Sequence, residues 1–281
     1  MNKMIDWLSN KACWLVLVVL IAVIGIVAGC QQEYKEEPEA PIDVIVVEPN
    51  VVVPQYASRA IEATGGLDAW TKAKKLRLDC VVTFYKPDGS FYLTEQDYEI
   101  YPWLNSIRIS ATEPQGTFVW ELSRGGLEGG ESWHTGIGLP VELCSKHYFT
   151  ELILDITTAP VRFLDKPVVF TRDSRPVKME GLWYYLIERV NPDKTGIFSY
   201  AVFYQNRDTF LVDMLWFAGV DSSVIVSEAQ PSVAIPISLA VRGYDYREVE
   251  KGGVRVPAKI EIFRTDAAGV LQERLVKIDS K

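Results

Sequence analysis

The chain has 281 residues and a formal charge of −8, with 48% hydrophobic residues, 11% aromatic residues and two histidines. That composition supplies a real core and excludes global disorder. With no basic cluster read outside the N-terminal head, neither nucleic-acid binding nor electrostatic docking on anionic lipid headgroups is expected.

In chain order, a head containing Lys3 and Lys11 precedes an apolar run from Ala12 to Gly29, which ends in Val27-Ala28-Gly29-Cys30. Small residues directly before a cysteine, after a stretch that can enter a bilayer, resemble a bacterial lipoprotein signal peptide and its lipobox. The resemblance implies cleavage after residue 29 and a diacylglyceryl group on the Cys30 thiol, with palmitate-type acyl chains at the mature N-terminus. An uncleaved transmembrane helix is the alternative, since about 17 residues just span a bilayer. The membrane is a partner in either case. Gln31, where an aspartate commonly retains such proteins in the inner membrane, resembles the outer-membrane class facing the periplasm. Stable anchoring takes more than one acyl chain, each buried methylene contributing ~0.8 kcal/mol.

Residues 30–53 read as a tether rich in acids and prolines, which stays extended. Residues 54–281 read as one domain. Tyr56, Ala60 and Ala63 share a helical face that Gly65-Gly66 terminates, and Asp68 is placed to cap a second helix through Trp70 to Lys75. From Leu76 the period becomes two: Leu76, Leu78, Cys80, Val82 and Phe84 alternate with polar residues. Pro87-Asp88-Gly89-Ser90 is a hairpin turn. Further strands are expected at 91–101, 105–113 and 116–124, then a glycine-rich loop over 125–140 and a helix over 141–156. Strands resume at 183–191, 197–205, 209–217, 237–249, 254–263 and 270–278. This order predicts a mainly β, α+β architecture built as one large antiparallel meander.

The chemistry-bearing side chains are sparse. No Cys/His spacing suits zinc, so no metal or cofactor is expected. Cys80 and Cys144 are expected as separate buried thiols, although an exported compartment permits a bridge. There is no GxSxG. Cys144 and His147, at i and i+3, share a helical face, but no third residue orients the histidine, and a structural cysteine beside a surface histidine is preferred. No enzyme is expected.

Two stretches, Ala60-Ile61-Glu62-Ala63-Thr64-Gly65-Gly66 with Trp70 and Leu76, and Tyr246-Arg247-Glu248-Val249 leading into Gly253-Val254-Arg255-Val256-Pro257-Ala258-Lys259-Ile260-Glu261-Ile262, resemble the LolA/LolB-like lipoprotein-carrier superfamily. The resemblance implies a curved, incompletely closed antiparallel half-barrel whose concave face is plugged by helices. It also implies a hydrophobic ligand, an acyl chain or a lipoprotein, in the space between them. The chain departs from that pattern by added length around 157–182 and 219–236.

Aromatic residues from Trp183 to Phe217 put apolar groups on both faces of consecutive strands, so each face needs a cover. Alternation nominates Phe84, Ile107, Ile109, Phe118, Trp120, Trp183 and Ile260 as ligand-lining residues, with Trp216-Phe217 as an exposed contacting tip in one reading. The expected function is a membrane-anchored module that binds or transfers a hydrophobic ligand in the cell envelope. A non-catalytic scaffold for an envelope protein is the alternative.

Overall fold

The computed structural model describes residues 54–113, 116–123, 126–129, 146–165, 169–173, 175–190, 200–221, 235–249 and 253–281. Cys30, the signal segment, the tether, His134 and Cys144 lie outside the described residues. Two helices, α1 (Gln55–Ala63) and α2 (Gly66–Lys72), precede the strands. The first five strands are β1 (Leu76–Tyr85), β2 (Phe91–Tyr101), β3 (Ser106–Glu113), β4 (Gly116–Ser123) and β5 (Gly126–Gly129). Helix α3 (Lys146–Arg162) follows. Then come β6 (Val169–Arg172), β7 (Val177–Met179), β8 (Leu182–Val190), β9 (Tyr200–Asn206), β10 (Val212–Asp221), β11 (Ile235–Val249), β12 (Val254–Thr265) and β13 (Leu271–Ser280).

All thirteen strands belong to one sheet, ordered β5-β4-β3-β2-β1-β13-β12-β11-β10-β9-β8-β6, with β7 on β8. Every described pairing is antiparallel. The end strands β5 and β6 do not pair with each other, so the sheet is open. It is also curved. Helix α3 touches β3 and β4 as well as β10, β11 and β12, yet β3 and β10 are six strand spacings apart. On a flat sheet that is about 29 Å, slightly more than the ~26 Å length of a 17-residue helix. Curling of the strands around α3 brings both groups within its reach.

Alternation decides which side chains face α3. In β1, Leu76, Leu78, Cys80, Val82 and Phe84 are buried while Arg77 and Asp79 are exposed. Cross-strand register carries the same side through Val276 and Ile278, Ile260 and Ile262, Leu239 and Val241, and on to Phe203. The opposite side of β8–β11 buries Tyr184, Val202, Met214 and Ala240. This accounts for the bifacial apolarity: the concave side is covered by helices, and the convex side of these strands carries its own packed patch.

The expected turn is present. The Lys86 N–H donates to the Ser90 carbonyl at 2.9 Å, and Gly89 sits at φ +81°. Several expectations need correction. The second helix starts at Gly66 and ends at Lys72, and Asp68 does not cap it but pairs with Lys72 at 2.7 Å, one turn on. Part of the expected glycine loop is strand β5. Helix α3 continues six residues past 156, through Pro160, because the chain beyond it is held by contacts described below. The segment 157–182 holds the two short strands β6 and β7 at the sheet margin.

The two stretches that carry the sequence resemblance meet in space. The Arg255 N–H donates to the Thr64 carbonyl at 2.9 Å. The buried Thr64 hydroxyl donates to the Ala60 carbonyl and accepts from Trp70 Nε1 at 2.9 Å, tying α1 to α2. Gly65, at φ +116°, lies so close to Gly253 that an added Cβ would fall 2.0 Å from its carbonyl oxygen. Gly65→Ala is therefore expected to destabilise the chain by about 2–4 kcal/mol, from backbone strain and the clash together. Chemical unfolding checks this, and a midpoint equal to wild type would contradict the close packing.

Candidate functional site

The candidate site is the concave face and its cover, α3. This helix has little intrinsic reason to form. It contains Pro160 and the β-branched Thr150, Ile153, Ile156, Thr157, Thr158 and Val161, all of which cost helix stability. Thr157 and Thr158 donate to the carbonyls four residues back, at 2.6 Å each, a contact that satisfies the hydroxyl but adds little to the helix. Tertiary burial holds it instead. Phe149, Leu152, Ile153, Leu154, Ile156 and Ala159 are all fully buried, and Phe149 packs on Phe84 with ring centroids 5.5 Å apart.

One ionic cluster fixes how α3 sits. Asp155, with no exposed surface, accepts from Arg162 Nε at 3.0 Å and from Arg189 of β8 at 2.7 Å. Arg162 also donates to Asp165 at 2.9 Å. Arg189 lies 3.8 Å from Glu151 and within 6 Å of the Phe203 and Phe217 rings. Such a buried group is weak as net stabilisation, because desolvation offsets the attraction, but losing one member strands the others. It therefore sets position more than it adds energy. Burial, then the neighbouring Asp155 carboxylate, raises Glu151 to about 7, with Arg189 and Arg162 pulling the other way.

The expected lining residues divide. Phe84, Ile107 and Ile109 are 0% exposed and Ile260 is 2% exposed, all in one core cluster. All four are packed core residues of the sheet. The backbone of β4 places Trp120 opposite Ile109 and Phe118 opposite Ala111. Trp183 does not join the cluster: it is 38% exposed at the outer end of β8, with the Lys178 and Arg207 cations within 6 Å of its ring. Trp216-Phe217 is not an exposed tip. Phe217 is buried, and Trp216 Nε1 donates to Ser238 and Thr265 hydroxyls at 3.1 and 3.2 Å. Cys80 is a free buried thiol, pushed up to about 12 by burial and then by Asp79, unsuited to nucleophilic work at neutral pH.

The concave wall is not wholly hydrocarbon: besides Arg189 it buries Thr94, Gln96 and Gln205. Gln96, 1% exposed, accepts from the Tyr98 hydroxyl at 2.9 Å, while its amide nitrogen has no partner among the described residues. Sequence alternation overlooked this residue, and it overlooked the ionic cluster as well. The signals were Glu151 and Asp155 one turn apart within an apolar helix, and Arg189 inside an aromatic-rich strand. No group of His, Cys, Asp and Glu among the described residues is arranged to hold a metal ion, and no described helix is long and apolar enough to cross a membrane.

The cluster has a pH signature. A carboxyl bound more tightly to its proton when folded than the usual 4.5 makes stability fall as pH rises between about 4.5 and 7, with the penalty complete above that window. Glu151→Gln is expected to remove this component, so the variant gains on wild type, by ~1–3 kcal/mol, between pH 5 and pH 8. Paired denaturation curves at the two pH values measure it; an unchanged difference would contradict the half-buried placement of Glu151 beside Asp155. Asp155→Ala, which strands two arginines, should cost ~3–5 kcal/mol.

No protein-family model matches the chain, and no curated protein sequence matches it. Solved structures do resemble it. A LolA superfamily protein from Nitrosomonas europaea is 11% identical, with a TM-score of 0.49 over 82% of this chain and 92% of that one. A domain assigned as an outer membrane lipoprotein-sorting protein, from Vibrio parahaemolyticus, is 8% identical, with a TM-score of 0.41 over 80% of this chain and 88% of that one.

Proposed function

We propose that this chain is a non-enzymatic, membrane-anchored lipoprotein of the cell envelope that binds an acyl chain, of a lipid or of a lipoprotein, against its concave face. The observation that carries the reading is the cover itself: a broad apolar sheet face is closed by α3, whose helical form depends on packing against that face. Exchange of α3 for an acyl chain replaces one apolar contact with another. At ~25 cal/mol per Å² of apolar surface, such an exchange is nearly balanced, and a small bias shifts it. Access is through movement of α3, since the wall residues Phe84, Ile107 and Ile109 are fully buried. The partnerless amide of Gln96 offers a donor to the ester or amide carbonyl of an acylated ligand. The lipobox-like Val27-Ala28-Gly29-Cys30 and Gln31 support anchoring through Cys30, on the periplasmic side of the outer membrane.

The complete burial of Phe84, Ile107 and Ile109 also favours a second reading, in which the sheet is a rigid scaffold for an envelope protein and α3 never leaves. The two are separated by what the full chain, extracted in a mild neutral detergent, brings with it. Native mass spectrometry is expected to find lipid or acylated peptide bound, and Gln96→Leu to lower its occupancy several-fold while leaving the fold intact. A preparation free of lipid that carries one stoichiometric protein partner would overturn the acyl-chain reading and leave the scaffold.

A further inference from the structure

The sheet has a notch on its seam. Strand β13 runs beside β1 along Cys80–Phe84 and beside β12 from Lys259 onward, so Leu76–Asp79 and Val254–Ala258 extend past its end. A cavity of about 430 Å³ opens there, between α2 and the start of β1. Its floor is apolar: Ala69, Ala73 and Val249, with the core residues Leu76 and Val254. Its rim carries Lys72, Lys74, Lys75 and Arg77, and no carboxylate lines it. A smaller adjoining crevice shares Arg77 and adds Arg247 and Lys281, together with Asp79 and Glu248.

These four rim cations fall within six residues of sequence, in a chain of net charge −8. They correct the expectation that no basic cluster exists outside the N-terminal head. Asp68 pairs with Lys72, and Glu99 serves both Lys75 at 3.2 Å and Arg77 at 3.1 Å. Lys74 has no ion-pair partner among the described residues. Two carboxylates against four cations leave a surplus of positive charge beside an oily floor. An apolar floor alone suits any alkyl group, and a cationic rim alone suits any anion. Together they fit one molecule with both parts.

We propose that this notch holds an anionic amphiphile: its phosphate head accepts from the Lys74, Lys75 and Arg77 side chains, and its alkyl chain lies on Ala69, Ala73 and Val249. Several point charges and one guanidinium fork suit a group with several acceptor oxygens. The site is separate from the face under α3 and needs no movement of that helix, so it stands or falls independently of the acyl-chain reading.

The test is isothermal titration calorimetry of the full chain in neutral detergent with three probes below their micellar concentrations. Dihexanoyl phosphatidylglycerol is expected to bind at least tenfold tighter than dihexanoyl phosphatidylcholine and than inorganic phosphate. Lys74→Glu combined with Arg77→Glu should weaken it tenfold or more at an unchanged thermal midpoint. Should the double variant fold poorly, Lys74→Glu alone, at an exposed and partnerless position, should weaken it about threefold. Equal affinity for the two lipids would reduce the notch to a greasy surface, and phosphate binding as tightly as the lipid would reduce it to a bare anion site. Undiminished binding by a folded variant would place the lipid elsewhere. Each of these three results overturns the proposal.

Discussion

Everything in this molecule follows from the need to cover one side of a wide sheet. An antiparallel sheet with alternating apolar side chains cannot leave that side in water, and the open edges prevent the sheet from closing on itself. Curvature around a helix is the solution reached. The helix supplies Phe149, Leu152, Ile153 and Ile156 to the wall, and the wall supplies the burial that a threonine- and proline-containing segment needs in order to be helical. Neither part is stable in this form without the other.

Apolar contact alone lets a helix slide or rotate in such a trough, because hydrocarbon packing has weak directional preference. Asp155 removes that freedom. One of its oxygens is held by Arg162 of α3 itself and the other by Arg189 of β8, so the Arg189 bond ties α3 to one position on the wall. Glu151, close by, adds a group whose charge state depends on surroundings near neutrality. The ionic cluster and the oily contact thus divide the work: one sets the place, the other supplies most of the burial.

Much of this was legible in the sequence. Period-two alternation gave β1 and β12 nearly to the residue, and Pro87-Asp88-Gly89 announced its turn, because both signals are local. The short motifs around Gly65 and Gly253 were visible but not their contact, which depends on the sheet bringing distant segments together. The extent of α3 was misjudged, because Thr157 to Pro160 argue locally against a helix and only Asp155–Arg162 and the surrounding core argue for one. The exposure of Trp183 was not legible for a related reason. Alternation assigns a face but not a distance from the strand's end, and Trp183 sits where the face meets water. The basic stretch from Lys72 to Arg77 was readable throughout; the acidic total obscured it.

The central claim is that α3 is a displaceable cover. Hydrogen–deuterium exchange on the full chain, with and without a saturating acylated peptide, measures this at the element concerned. The account predicts that amides of residues 149–162 lose protection when ligand is bound, while those of β1 and β12 keep theirs. Protection of α3 that is unchanged, or increased, at saturation would contradict it.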